Sequence, residues 1–174
     1  MWNREGRFTT RTDVPLSEVG TAQAQEAAGQ LAGTRIDRIY SSPLGRARAT
    51  AEAVAAVRSP APEVLVDERL TEIDAGPFEG KTEDELKAGP LADAFERWHS
   101  DAAPEFPEGT ETFDDALARA AAFLDERSGA EGTTLVVTHG SLARLMVSSY
   151  FLGGPPPLHR HLWLDNCRLA VVKK

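Results

Sequence analysis

The sequence contains a single cysteine, Cys167, among its 174 residues. One cysteine cannot form an intramolecular disulfide, so nothing in the composition indicates an oxidising compartment. Because Cys167 lies in the apolar stretch CRLAVV, we expect it to be a buried strand residue. Neither the polar opening MWNREGR nor any other segment approaches the roughly 18 consecutive apolar residues that a membrane span requires. These absences favour a cytoplasmic protein.

Basic charge is also scarce, since the formal net charge is -8 and the isoelectric point is about 5.0. Nucleic acids and anionic membranes are bound by basic surfaces, so neither is expected as a partner. An acidic protein can still bind phosphate through a local cluster of Arg and His. With 41% hydrophobic and 26% charged residues, the chain has an ordinary globular composition. Its length predicts one domain over residues 1–174.

Helical and strand patterns alternate along the chain, as is typical of an α/β domain whose mainly parallel sheet is flanked by helices. Strands are predicted at residues 36–41, 64–66 and 133–138, with two more in the tail on either side of Asp165-Asn166. Helices are predicted at residues 17–31, 45–57, 112–127 and 140–152. The charged segment 82–101, interrupted by Gly89-Pro90, predicts two short helices that form an insertion over the sheet face.

The most informative local feature is TLVVTHGSLARLM, residues 134–146. Its apolar, β-branched run is typical of a central strand. The run ends at Thr138, which places His139 at the carboxyl edge of the sheet, where open α/β folds bind ligands. A helix begins at once with Gly140, so its first backbone amides are expected to face an anion bound there.

A second segment, SSPLGRARATAE, residues 41–52, repeats this arrangement of a strand end followed by a helix start. It carries Arg46 and Arg48, and arginine suits phosphate because its planar guanidinium donates two parallel hydrogen bonds and stays charged. Two residues that are two positions apart on a helix do not face the same crevice. Only one of these arginines is therefore expected to reach the ligand.

Several motifs in order resemble those of the histidine phosphatase (phosphoglycerate mutase-like) superfamily, branch 1. Residues 1–20 resemble the stretch that follows the R-H-G-E-T loop of that family, and residues 41–52 fit its S-x-L-x-R-A-x-x-T-A pattern. Residues 69–80 fit L-x-E-x-x-x-G-x-x-E-G, and residues 164–167 resemble L-x-N-C/A. Residues 106–119 resemble the P-x-G-G-E-S segment, with Thr110 and Thr112 substituted. Each motif alone is weak, but five in the correct order make the resemblance specific from Trp2 to Cys167.

The resemblance implies a three-layer α/β fold and a phosphatase that hydrolyses small phosphomonoesters through a phosphohistidine, with no cofactor and no metal. It assigns Arg46 and His139 to the phosphate oxygens and leaves Arg48 as a solvated surface charge. Glu72 becomes the candidate general acid, which would protonate the leaving alkoxide, and Glu79 is expected to hold its loop through backbone hydrogen bonds.

Further pocket residues follow from the same resemblance. Asn3 and Thr9 align with residues that line the phosphate pocket, and Gly140 follows His139 there. Thr10 stands where a glycine is common in the family. The expected partner is a small phosphorylated metabolite, and the expected assembly is a monomer or a homodimer.

The R-H-G motif, which carries the attacking histidine and the first arginine of the family, occurs nowhere in the 174 residues. We expect this motif, with the first strand of the sheet, just upstream of Met1. Residues 1–174 alone are accordingly expected to be catalytically dead or nearly so.

Two alternatives remain open at this stage. One is a pseudophosphatase that keeps Arg46 and His139 and binds phosphorylated ligands without turnover. The other is a metal-dependent hydrolase using His159 and His161, which would share one face of a strand. A mutase is less favoured, because mutases of the family carry an arginine directly after the acid glutamate and Ile73 occupies that position.

Overall fold

Three parallel strands form the sheet of the protein. The computed structural model describes residues 2–100 and 104–172, apart from the side chain of Asn3. The strands are β1 (Arg38–Ser41), β2 (Val64–Val66) and β3 (Thr134–Val137), in the order β2-β1-β3. In β1, Ile39 is in register with Val64 of β2 and Leu135 of β3. The predicted parallel α/β sheet is confirmed, and its parallel connections require helical crossovers.

Helices α1 (Glu18–Leu31) and α2 (Gly45–Ala56) cover one face of the sheet. The hydroxyl of Ser17 accepts a hydrogen bond from the Gly20 amide at 3.0 Å, which caps α1 as predicted. Small side chains allow the two helices to pack closely against the strands. The buried cluster on this face consists of Ala28, Ile39, Ala51, Val54 and Ala55.

The opposite face is covered by α5 (Phe113–Glu126) and α6 (Gly140–Leu145), and a π-helical segment, Met146–Phe151, continues α6. Thr112 caps α5 by accepting a hydrogen bond from the Asp115 amide at 3.1 Å. Because strand side chains alternate between faces, Ile39 packs toward α1 and α2, whereas Tyr40 contacts Phe123 of α5 at 5.3 Å between ring centroids.

Two short helices, α3 (Glu83–Ala88) and α4 (Ala92–Trp98), lie on either side of Gly89-Pro90, as predicted. A capping box between Thr82 and Glu85 starts α3. Phe95 and Trp98 of α4 pack against Phe8 and Phe78, with ring centroids 5.2 to 5.9 Å apart. This aromatic cluster holds the N-terminal loop against the body of the domain.

The C-terminal tail differs from its prediction. Pro156–His161 forms a 3₁₀ helix, and residues 162–172 contain no strand. Three consecutive prolines, residues 155–157, supply no backbone N–H for a strand ladder, which accounts for the 3₁₀ turn. Cys167 is half-buried in a turn with φ of 55°, not in a buried strand. The prediction of two strands around Asp165 and Asn166 is therefore wrong.

β3 lies at the edge of the sheet in the described residues, although its apolar sequence is typical of a central strand. The backbone N–H and C=O groups of Leu135 and Val137 point toward β1, since the Ser42 amide donates to the Val137 carbonyl at 2.9 Å. The backbone groups of Thr134 and Val136 point to the other side. Large apolar side chains of the tail are exposed, namely Trp163, Leu169, Val171 and Val172.

No helix in residues 2–100 and 104–172 combines the length and apolar character needed to cross a membrane.

Candidate active site

β1 and β3 end side by side, and the polar residues that follow them meet there. Ser42 follows β1 and is fully buried, while His139 follows β3 and is 9% exposed. The imidazole Nε2 of His139 lies 2.7 Å from the hydroxyl oxygen of Ser42. The predicted location of His139 at the carboxyl edge of a parallel strand is confirmed.

His139 is held in its neutral form. Burial, followed by the positive charges of Arg46, Arg119 and Arg11, lowers its pKa to about 3. The imidazole therefore serves near neutral pH as a hydrogen-bonding group, and the guanidinium groups around it supply the positive charge.

Glu72 is buried beside the start of α6. Its Oε1 accepts hydrogen bonds from the amides of Ile73 and Leu142, each at 2.9 Å, and its Oε2 accepts one from Ser141 at 3.0 Å. Burial raises the pKa of Glu72, while these three amides and the charge of Arg46 oppose that shift. The expectation that the first amides of this helix face a bound anion is wrong for Ser141 and Leu142, because they donate to Glu72.

Arg46, at the start of α2, ties that helix to the loop of residues 9–12. Its Nη1 donates to the carbonyl of Thr12 at 2.9 Å, and its Nη2 donates to the carbonyls of Thr10 at 2.8 Å and Thr9 at 3.4 Å. Burial lowers the pKa of this guanidinium, with nearby carboxylates opposing the shift. Arg48 points outward to Glu52 at 3.5 Å, which agrees with its prediction as a surface charge.

Glu79 holds the same loop from the other side. Its carboxylate accepts hydrogen bonds from the amides of Thr10 and Thr12 at 2.9 to 3.0 Å and from the Thr10 hydroxyl. Burial by itself would raise the pKa of Glu79, but these hydrogen bonds hold the pKa below its ordinary value. Glu79 therefore accepts backbone hydrogen bonds as predicted, but from the loop of residues 9–12 and not from its own loop. The loop accommodates the side chain of Thr10, where the family commonly has glycine, because the Thr10 hydroxyl also accepts a hydrogen bond from the Ala75 amide at 3.2 Å.

The remaining predicted pocket residues occupy different environments. Thr9 is half-buried, and its hydroxyl donates to the Arg7 carbonyl at 3.1 Å. Gly140 is exposed at the first position of α6, next to His139. The side chain of Asn3 lies outside the described part of the chain. The phosphate-binding roles of these residues remain predictions.

Arg119 on α5 is a structural partner of the site that the sequence did not reveal. Its guanidinium pairs in two places with Glu111, at 2.6 and 2.9 Å, and its Nη2 donates to the carbonyl of Glu72 at 3.3 Å. Arg119 thereby fixes the backbone that carries the candidate acid. The signal that could have predicted a partner for Arg119 is its position beside Ala120, on the buried side of an amphipathic helix. Charged residues at such positions are rarely unpaired.

His159 and His161 do not share a strand face, because both lie on the 3₁₀ helix Pro156–His161. His159 is buried, its Nδ1 lies 2.8 Å from the Pro156 carbonyl oxygen, and its ring packs edge-on against Phe113. The strand geometry expected for a metal site here is therefore wrong. Within the described residues, no three His, Cys, Asp or Glu side chains are grouped to hold a metal ion.

A neutral histidine, a buried glutamate and an arginine thus lie beyond the carboxyl ends of parallel strands, where open α/β folds bind ligands. The chain belongs to the histidine phosphatase superfamily, branch 1, which it matches over residues 1–173.

Individual relatives agree with this assignment. The chain is 33% identical to the "Probable phosphoglycerate mutase GpmB" of Photorhabdus laumondii, over 98% of this chain and 79% of that protein. Among solved structures it is similar to YhfR of Bacillus stearothermophilus, with 34% identity and a TM-score of 0.78, covering 91% of this chain and 77% of that one. It is also similar to a mycobacterial glucosyl-3-phosphoglycerate phosphatase, with 29% identity and a TM-score of 0.79, covering 93% and 79% of the two chains.

Proposed function

We propose that this protein is a cytoplasmic phosphatase that hydrolyses small phosphomonoesters through a phosphohistidine intermediate. The observation that carries the proposal is the grouping of Arg46, Glu72 and His139 around one strand edge, with His139 neutral and Glu72 buried. The names of similar proteins include phosphatases and a mutase, and both kinds of enzyme transfer a phosphoryl group.

The proposed reaction has two displacements. A neutral imidazole of an R-H-G motif attacks phosphorus, and the P–O bond to the leaving group breaks. The leaving alkoxide takes a proton from Glu72, whose raised pKa favours the protonated form. Water then attacks phosphorus, the P–N bond breaks, and the carboxylate of Glu72 recovers a proton. Arg46 and His139 stabilise the charge on the equatorial oxygens.

The attacking histidine is not among the 174 residues, which contain no R-H-G. We propose that it is carried by a further strand paired with the outer edge of β3. Two features support this position: β3 is apolar on both faces yet lies at the edge of the described sheet, and the exposed apolar side chains of the tail lack a packing surface. Residues 1–174 alone should accordingly show no or almost no turnover.

The direct test compares residues 1–174 with a chain that begins with the in-frame genomic codons upstream of Met1. We expect those codons to encode R-H-G and the longer chain to hydrolyse p-nitrophenyl phosphate. In the longer chain, Arg46→Ala and His139→Ala should each lower kcat/KM by about 100-fold or more. The matched controls Arg48→Ala and His161→Ala, both at exposed positions, should leave the rate within about twofold. Equal turnover by the short and long chains would contradict the proposal.

A pseudophosphatase is the second candidate, favoured by the missing motif together with an otherwise formed pocket. It requires that no in-frame R-H-G precede Met1. Calorimetric titration of residues 1–174 with inorganic phosphate should then show binding that Arg46→Ala weakens and Arg48→Ala preserves. Absence of binding in the folded protein would exclude this candidate.

We favour phosphatase over mutase because Ile73, a buried apolar residue, follows Glu72. No cation at that position is available for the carboxylate of a phosphoglycerate. The active chain should therefore release phosphate from 3-phosphoglycerate or glucosyl-3-phosphoglycerate faster than it interconverts phosphoglycerate isomers. Faster isomerisation, followed by ³¹P NMR, would reverse this assignment.

A further inference from the structure

Ser42 is the direct partner of His139. It is fully buried, and its amide is anchored to the Val137 carbonyl at 2.9 Å, so its position is set by the ladder between β1 and β3. Its hydroxyl oxygen lies 2.7 Å from Nε2 of His139 and 3.3 Å from the Leu44 amide nitrogen.

The direction of the contact follows from counting protons. The Leu44 N–H can only donate, so the Ser42 oxygen accepts there. If Nε2 of His139 carried a proton and donated it as well, the hydroxyl proton of Ser42 would have no acceptor among the described residues, in a fully buried position. A buried donor without an acceptor is costly. The arrangement that satisfies every group has the Ser42 hydroxyl donating to Nε2.

We propose that Ser42 is a positioning residue that holds His139 as the Nδ1–H tautomer and so presents Nδ1–H as a neutral hydrogen-bond donor to a phosphoryl oxygen. Nδ1 makes no hydrogen bond within residues 2–100 and 104–172, which leaves it available to a ligand. The low pKa of His139 agrees, because a neutral ring has only one N–H to place. The phosphoryl ligand in this inference rests on the proposed function, whereas the tautomer does not.

The tautomer can be measured in the ligand-free protein by long-range ¹H–¹⁵N correlation of the imidazole nitrogens at pH 7. His139→Gln identifies the signals of His139 by their loss. We expect the wild-type ring to show a protonated Nδ1 and a bare Nε2. Ser42→Ala should shift the ring toward the Nε2–H form, because Nε2 has lost its donor.

Ser41→Ala is the matched control. Ser41 is also fully buried, but its hydroxyl donates to the Ser42 carbonyl at 2.9 Å and does not contact the ring. The His139 signals should therefore keep their wild-type pattern in this variant. Equal shifts in Ser41→Ala and Ser42→Ala would indicate a general packing effect and overturn the positioning role.

Three outcomes decide the inference. A protonated Nε2 or an imidazolium in the wild-type protein overturns it, even if Ser42→Ala fails to fold. An Nδ1–H tautomer whose Nδ1 signal moves more than Nε2 on addition of inorganic phosphate supports both the tautomer and its ligand. An Nδ1–H tautomer that phosphate leaves unchanged supports the role of Ser42 and counts against phosphate binding at His139.

Discussion

Glu79 shows how single residues build the candidate site from its loops. It binds the loop of residues 9–12 through two amides, while Arg46 binds the same loop through its carbonyls. Glu79 thus binds N–H groups and Arg46 binds C=O groups of the same short backbone segment. A change at either should loosen the loop without removing a core side chain.

We expect Glu79→Ala to lower the free energy of unfolding by about 1 to 2 kcal/mol, because the part-buried amide of Thr10 and the exposed amide of Thr12 would lose a charged acceptor. Urea denaturation followed by circular dichroism measures the change. Glu52→Ala is the control, since Glu52 is exposed and pairs with Arg48 at the surface, and it should cost less than about 0.5 kcal/mol. Similar losses in the two variants would contradict the role assigned to Glu79.

Residue assignments from the sequence succeeded where a residue acts within its own segment. The outward position of Arg48 was predictable, because helical spacing fixed it. Glu79 was expected to hold its own loop, but it contacts Thr10 and Thr12, which are 69 and 67 positions away. The contact between Ser42 and His139 joins residues 97 positions apart, and the Arg119 contact with Glu72 joins residues 47 apart. Nothing in the local sequence pattern specifies such pairs, which depend on how strands and helices are placed in space.

At the scale of elements, helices and strands bounded by strong signals were predicted well. Ser17 and Thr112 mark the starts of α1 and α5, and Gly89-Pro90 separates α3 from α4. The tail strands failed because a strand needs a partner as well as an apolar sequence, and no described strand runs beside residues 162–172. Alternating apolar residues in the tail are therefore not sufficient to predict a strand.

β3 offers a direct test of the open sheet edge. In residues 1–174, the amides of Leu135 and Val137 point to β1 and should exchange slowly with deuterium, whereas those of Thr134 and Val136 should exchange at least about tenfold faster. β1 is the internal control, because it is paired on both sides and its amides should be uniformly protected.

The same experiment tests whether the further strand pairs with the outer edge of β3. In the chain that carries upstream codons, Thr134 and Val136 should become as protected as Leu135. Equal protection of all four β3 amides in residues 1–174 would show that the outer edge is already covered. The proposed position of the nucleophile strand would then be wrong.

At the scale of the whole molecule, the site makes stability depend on pH. His139 is buried and neutral with a pKa of about 3, whereas an unfolded histidine has a value of 6.5. Between these values the unfolded chain binds a proton that the folded chain does not, so the unfolded state gains stability as the pH falls. The contribution of His139 to folding is therefore complete above pH 6.5 and is lost progressively toward pH 3.

We expect the wild-type free energy of unfolding to fall from pH 6.5 to pH 4.5 with a contribution from His139 approaching about 1.4 kcal/mol per pH unit. Glu72 acts in the opposite direction, because its raised pKa favours the folded state at lower pH. The informative quantity is therefore the difference between the wild type and His139→Gln in the slope of unfolding free energy against pH. The amide oxygen of the introduced Gln can still accept a hydrogen bond from Ser42. The control His161→Gln changes an exposed histidine, so the pH dependence of its free energy of unfolding should match that of the wild type. If His139→Gln retains the full wild-type slope, the folded and unfolded chains bind a proton at His139 equally between pH 4.5 and pH 6.5. The neutral state of His139 in the folded protein over this range would then be contradicted.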